Sequence, residues 1–395
     1  MTPAAAIAGI YELPERVAPG RSVLQIKAEC ARNALSDAGL SWSDVDALYE
    51  CGEAASGTLQ GISMAEYFAL NPRVVDTTFV GGSSFEFQAA HAMRDIAAGR
   101  ANVALLTYGS TSRSDARAIG TGSRPQAQPL PHTNLEVSLG LTLVGYYALA
   151  ARRHMAEYGT TVEHLAEIAV TTRAHANQNP AAMSALAALG IKHTGEVTVE
   201  DVLRSRMIAD PLHLMDCCLI TDGGGAVVIV SPAVASSLRK PPVWILGTGE
   251  AVGYPGNGVD ITRSAAALSG PTAFAQAGIR PDEIDVAMIY DSFTITVLMI
   301  LEDLGFCDKG DGGAYAADGR LRFDRPGAVA LNTDGGGLSS NHPGMRGIFL
   351  LIEATRQLRG ESTAQVPGAR LAVAHGNGGS LAGRHAGGTV ILGVH

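Results

Sequence analysis

The stretch FVGGSSFEFQAAHAMRDIAAG, Phe79 to Gly99, decides how the chain is read. Gly81 and Gly82 permit tight backbone geometry, and Ser83 or Ser84 is placed to cap a helix. Phe87, Ala90 and Ile96 then recur at helical spacing up to a stop at Gly99. On residues alone this is a core helix behind a glycine turn. A second copy of the plan stands in GGLSSNHPGMRGIFLLIEATRQLRG from Gly336, and each copy is followed by a short apolar strand that runs into glycine. A further pair lies upstream: NALSDAGLSWSDVDALY at Asn33 to Tyr49 and TAFAQAGIRPDEIDVAMIY at Thr272 to Tyr290 both read as helix, Ala-Gly turn, Asp-bearing loop and strand. The period is far too long for a solenoid, so the chain is expected to hold two copies of one α/β unit.

Between the copies, SRSDARAIGTGSRPQAQPLPHT from Ser112 is rich in Gly, Pro and polar residues and reads as an excursion over the active-site face. Helices around Leu141 to Tyr158 and Val162 to Ala176 belong to this insertion, which spans about residues 110–215. The segment DCCLITDGGGAVVIVS returns the chain to the core, with Asp222 and Gly223 to Gly225 read as a turn and Ala226 to Val230 as a buried strand. SPAVASSLRKPPVW, Ser231 to Trp244, marks the boundary between a first half over 1–235 and a second over 236–395.

Of the 395 residues, 46% are hydrophobic and 17% charged, which excludes a disordered chain. The net charge of -9 is spread without a run of Lys or Arg, so nucleic acid is not an expected partner. The opening MTPAAAIAGIYELPERV reads as a first strand instead of a signal peptide, and no segment approaches the ~20 apolar residues of a membrane span. Five cysteines at irregular spacing, with no paired CxxC, predict no metal site and a reduced cytoplasmic protein.

Taken in order, GGSSFEFQAAHAMRDIAAG, DCCLITDGGGAVVIV, YDSF at Tyr290 to Phe293, EDLGFCDKGDGG at Glu302 to Gly313, NTDGGGLSSNHPGMRG at Asn332 to Gly347 and AHGNGG at Ala374 to Gly379 resemble the thiolase superfamily. The likeness is to its sterol-carrier-protein type and archaeal-type branches, over essentially the whole chain. It implies a five-layer αβαβα fold of two duplicated halves with a loop-domain insertion in the first, and a tight homodimer. It also implies acyl-CoA substrates whose C–C bond next to a carbonyl is made or broken. Coenzyme A is then part of the substrate, and no covalently bound cofactor is implied. In the family a cysteine at a helix N-terminus takes the acyl group, a His-Pro histidine activates it, and a second cysteine moves a proton at the α-carbon.

Carried over residue by residue, the resemblance puts Ser83 at the nucleophile position, with Gly82 or Ser84 as the seat if the count shifts by one. A serine hydroxyl stays protonated unless a base takes its proton, so capping by Ser83 and Ser84 competes with an acyl-serine role. Gly82, Ser84 and the helix N-terminus remain oxyanion candidates. Tyr290, Asp291 and Ser292 fill the place of the HDCF or NEAF motif, where Ser292 replaces the proton-shuttling cysteine and Asp291 borders the pocket. A tyrosine donates to an oxyanion or, with a depressed pKa, takes a proton; packing at a strand end is the competing reading. His342 in NHPG matches the His-Pro histidine, as general base or oxyanion donor. His375 stands in for the CxG cysteine, with Asn377 and Gly378 beside it, although glycine packing explains that loop equally well. None of the five cysteines is assigned to chemistry, and Cys217 and Cys218 read as buried and inert.

Three functions follow from this set. The first is a thiolase-type acyltransferase cleaving or forming a 3-oxoacyl-CoA without a cysteine acyl-enzyme. The second, close behind, is a retro-aldol lyase acting on a 3-hydroxyacyl-CoA, as the resemblance to steroid side-chain aldolases implies, together with a small zinc-ribbon and OB-fold partner subunit. The third is a non-catalytic acyl-CoA or lipid-binding scaffold.

Overall fold

In a computed structural model of the chain the described residues are 3–51, 59–116, 138, 140–191, 195–253, 260–325, 329–381 and 383–394. Strand β1 (Ala6–Glu12) leads to helix α1 (Val23–Ala38), capped at its start by the Ser22 hydroxyl, which accepts the Gln25 N–H, and ended by Gly39 at φ 72°. Then come β2 (Ala47–Glu50), β3 (Val74–Asp76), α2 (Ser84–Ala97) and β4 (Val103–Ser110). The excursion supplies α3 (Leu143–Tyr158) and α4 (Val162–Ala176), close to the helices expected there, before β5 (Gly223–Val230). Residues 117–133 of its Gly- and Pro-rich stretch lie outside the described residues.

The second half repeats the series as β6 (Val243–Gly253), α5 (Ala266–Ala277), β7 (Val286–Ile289), α6 (Thr294–Asp303), β8 (Ala330–Leu331), α7 (Gly347–Arg359), β9 (Leu371–Gly379) and β10 (His385–Gly393). Like α1, α5 ends on a left-handed glycine, Gly278 at φ 68°, where a side chain would be strained. The strand order β3-β2-β4-β5-β1 in one half reappears as β8-β7-β9-β10-β6 in the other. The first three strands of each set are parallel and the last two pairings antiparallel. The halves meet edge to edge where Ala6 faces Trp244 and Ile7 faces Val243.

Side-chain alternation shows why the strands read as unbroken apolar runs: they are buried on both faces. Along β5, Ala226, Val228 and Val230 pack with Ile26 and Ala34 of α1, while Val227 and Ile229 face Phe85 of α2 and Ile348 of α7. Along β7, Val286 and Met288 face that same central layer, whereas Ala287 and Ile289 face Ala273 of α5 and Leu298 of α6. Outer helix, half-sheet, the α2 and α7 pair, half-sheet and outer helices make the five-layer α/β fold. Among the described residues no helix is long and apolar enough to cross a membrane.

Two local expectations are corrected. Gly223 to Gly225 do not form a turn but begin β5, because a Cβ at Gly224 would collide with Ile26 and one at Gly225 would come within 2.8 Å of Ile352. The glycines let helices approach a strand closely. The serines do not cap α2 either. Ser83 has ψ near 1° where side-chain capping needs an extended residue, and it makes no cap hydrogen bond. Instead the Ser83 hydroxyl donates to the Val80 carbonyl at 3.2 Å, while that of Ser84 accepts the Val80 N–H at 2.9 Å and donates to the Gly81 carbonyl at 2.6 Å.

Candidate active site

The site begins where β7 ends. The Asn332 side chain, standing where a strand neighbour would pair, accepts the Ile289 N–H and donates to the Ile289 carbonyl, both at 2.8 Å. With both backbone groups of Ile289 engaged, Tyr290 leaves the sheet in a fixed direction, its own N–H donating to the His375 carbonyl at 2.9 Å. Asp291 turns behind the wall, where it accepts the N–H groups of Gly337 at 2.8 Å and Leu338 at 3.2 Å. The loop carrying His342 closes around the wholly buried Arg346. This guanidinium bonds both oxygens of Asp334 at 2.7 and 2.8 Å, donates to the Asn341 carbonyl at 3.1 Å and meets Asp291 at 3.0 Å.

This framework sets the Tyr290 hydroxyl 3.0 Å from His342 Nε2, with the two rings perpendicular. The His342 N–H donates to Thr221 Oγ1 at 3.1 Å, and Thr221 in turn donates to the Asn341 side chain at 2.9 Å. On the opposite side, the Asn377 amide donates to the Tyr147 hydroxyl at 3.1 Å. Gly82 packs its backbone on Tyr290, since a Cβ there would collide with the ring, and one at Gly378 would collide with the Val80 carbonyl.

A cavity of about 270 Å³ lies between these groups. Of the residues singled out in the sequence, Gly82, Tyr290, Ser292, His342 and Asn377 line it; Ser83, Ser84, Asp291, His375 and Gly378 stand behind its wall. His375 is turned away, with Nδ1 2.8 Å from the Thr389 hydroxyl. Several wall residues, Leu143 and Met345 among them, went unassigned to the pocket from sequence, and three stand out. Tyr147 belongs to the excursion helix α3, Phe79 precedes the glycine turn, and Cys218 was read only as buried. The adjacent tyrosines in the Ala-rich segment GYYALAA are the one signal that could have pointed to Tyr147.

Burial leaves the titratable side chains that line the cavity neutral. Burial, aided by the Arg346 charge, pulls His342 down to about 4, so its imidazole is uncharged near neutral pH. Burial holds the Tyr290 phenol well above its ordinary range, so the depressed pKa that an unaided tyrosine base would need is not found. Burial, then the nearby Asp291, also pushes the Cys218 thiol up, away from thiolate.

With the fold and cavity in hand, the relatives can be placed. The chain matches the family model "Thiolase, N-terminal domain" over residues 17–233 and "Thiolase C-terminal domain-like" over 256–393, so it belongs to the thiolase superfamily, in its sterol-carrier-protein type branch. It is 35% identical to a steroid side-chain-cleaving aldolase of Thermomonospora curvata, over 92% of each chain. It is 33% identical to an acetyl-CoA acetyltransferase of Methanothermobacter thermautotrophicus, over 89% of this chain and 90% of the other. The solved structure described as "Ltp2-ChsH2(DUF35) aldolase" superposes with a TM-score of 0.86 at 32% identity, covering 99% of this chain and 98% of that one. The common ground is an enzyme of C–C bond chemistry on acyl-CoA thioesters.

Proposed function

We propose that the protein is a lyase that splits a 3-hydroxyacyl-CoA by a retro-aldol reaction. The observation that carries this reading is the 3.0 Å contact between a neutral phenol and a neutral imidazole, on a cavity where Cys218, the one cysteine lining it among the described residues, is held as a thiol. A retro-aldol step needs a proton acceptor and an enolate holder but no nucleophile. The substrate's 3-hydroxyl gives its proton to the Tyr290 oxygen as the phenol proton passes to His342 Nε2. The freed electron pair forms the C3 carbonyl, the C2–C3 bond breaks, and its electrons move to C2 and into the thioester carbonyl. The Asn377 amide and the Tyr147 hydroxyl face the same space as donors for that enolate oxygen. The proton held by His342 then returns through Tyr290 to C2, which restores both side chains and releases a shortened acyl-CoA beside the ketone or aldehyde.

The acyltransferase reading is favoured by one observation, the 33% identity to an acetyl-CoA acetyltransferase, and would need free CoA to attack a 3-oxo carbonyl directly. Incubation with a 3-hydroxyacyl-CoA, and separately with a 3-oxoacyl-CoA plus CoA, decides between them. Carbonyl release without free CoA supports the lyase, and CoA-dependent formation of two acyl-CoA products overturns it. A homodimer, and a small zinc-ribbon and OB-fold subunit like the DUF35 partner named with the related aldolase, complete the proposal. Five free cysteines suit a reduced cytoplasmic setting.

A further inference from the structure

We infer that Tyr108 is a positioning residue for His342: its hydroxyl bridges the two sides of the bend at Gly344 and so keeps the Tyr290 phenol proton directed at the imidazole. The inference rests on the Tyr290–His342 reading of the site but not on which reaction occurs there.

The segment from His342 to Met345 lies between α7 and the strands without helix or strand structure of its own, so its conformation depends on what binds its backbone groups. The chain bends at Gly344, which sits at φ 111°. The Tyr108 hydroxyl donates to the Pro343 carbonyl at 2.9 Å and accepts the Met345 N–H at 3.0 Å, so one oxygen closes the bend from both sides. The Ser112 hydroxyl adds a second donor to the Pro343 carbonyl at 3.3 Å. His342 itself is held by Thr221, whose N–H donates to the His342 carbonyl at 3.4 Å and whose hydroxyl oxygen accepts the His342 N–H at 3.1 Å. These partners all come from the first half, whereas Tyr290 and His342 belong to the second.

The Tyr108 phenol is itself firmly aimed. It is wholly buried near the end of β4, with its ring edge-on to Phe85 of α2 at 5.4 Å and to Phe349 of α7 at 6.3 Å. The bend matters to the chemistry because the Tyr290 hydroxyl has two acceptors in reach, His342 Nε2 at 3.0 Å and the Gly344 carbonyl at 3.4 Å. That carbonyl shares a peptide plane with the Met345 N–H, and in a planar trans peptide the two groups point opposite ways. By holding the N–H, Tyr108 fixes how far the carbonyl stands from Tyr290. Once the N–H is released, the carbonyl competes with His342 for the phenol proton.

Tyr108→Phe keeps the packed ring and removes the bridge. In NMR spectra of the full chain with isotope-labelled histidine, the His342 Nε2 resonance should move most of the way to the position it takes in Tyr290→Phe. In the same variant kcat should fall about 10–100-fold while KM stays nearly constant. Tyr49→Phe removes an equally buried phenol, bonded to Asp95 at 2.5 Å and away from the loop, and should move neither readout. Ser112→Ala, which releases the same carbonyl from its second donor, should shift the resonance in the same direction by less, and it carries the test if Tyr108→Phe does not fold. A His342 resonance that stays at the parent position in Tyr108→Phe, or in Ser112→Ala where that variant decides, overturns the inference. An equal shift in Tyr49→Phe overturns it as well, because any buried phenol would then serve. A resonance unmoved by Tyr290→Phe would instead show that the Tyr290–His342 contact itself is absent. Because the resonance is read without turnover, a failure of the lyase reading leaves these outcomes intact.

Discussion

The buried Arg346 meets Asp291 at 3.0 Å, and this ion pair ties the segment that bears Tyr290 to the loop that bears His342. The Tyr290–His342 geometry is thus secured from behind. Replacing Arg346 with Met leaves Asp291 and Asp334 facing each other without a cation. Stability should fall by about 3–5 kcal/mol in urea denaturation, and Arg346→Lys should rescue little, because an ammonium cannot reproduce the two-oxygen contact with Asp334.

Tyr290→Phe keeps the packed ring and removes the relay. It should lower kcat by about 10²–10⁴-fold with little change in thermal midpoint, while His342→Ala should lose activity to a similar degree. Because His342 is held near 4, its base form is present throughout the neutral range. The His342 limb of kcat/KM against pH should fall only below about pH 5, and a limb near 6.5 would count against the assignment.

Burial depresses four histidines: His175, His342 and His385 to about 4, and His375 to about 3. Each takes up a proton more readily unfolded, near 6.5, than folded, so their stabilisation is present above that value and lost as pH falls toward 4. Unfolding free energies from urea denaturation between pH 7.5 and 4.5 should fall on the order of several kcal/mol. Glu86 slopes the other way. Its carboxyl is buried without a hydrogen-bond partner and raised well above its usual range by burial, so it costs stability as pH rises. Glu86→Gln should be more stable than the parent at pH 8 and lose that advantage near pH 4.5.

Ser83→Ala should leave kcat within about threefold, since the hydroxyl closes a turn and lies behind the cavity wall. Gly82→Ala should do far more harm, because its methyl would push the Tyr290 ring off His342. Intact-mass measurement after substrate exposure should find no acyl adduct on Ser83, and an adduct would sink the non-covalent route.

The duplication was legible because helix, glycine stop and strand recur in the same order, and Gly39 and Gly278 do end equivalent helices at nearly the same φ. Tyr290 and His342 were legible because each sits inside a motif. The contribution of Tyr147 and Cys218 was not, since they reach the cavity from segments whose placement only tertiary packing decides. The capping role of Ser83 failed for a local reason: Gly81 and Gly82 bend the chain so sharply that both serine hydroxyls are consumed inside the turn.

The two half-sheets carry one further consequence. Each unit delivers its central helix to the cavity by the N-terminal turn, Gly82 ahead of α2 in one and His342 to Arg346 ahead of α7 in the other. Tyr290, one residue past β7, has as its counterpart Cys51, one residue past β2, and that thiol lies 3.9 Å from the sulfur of Met345, itself on the cavity wall. The cavity is thus shared unequally: Tyr290, His342 and Asn377 come from the second unit, whereas the first lends Tyr147, Cys218 and the Gly82 backbone against which the Tyr290 ring rests.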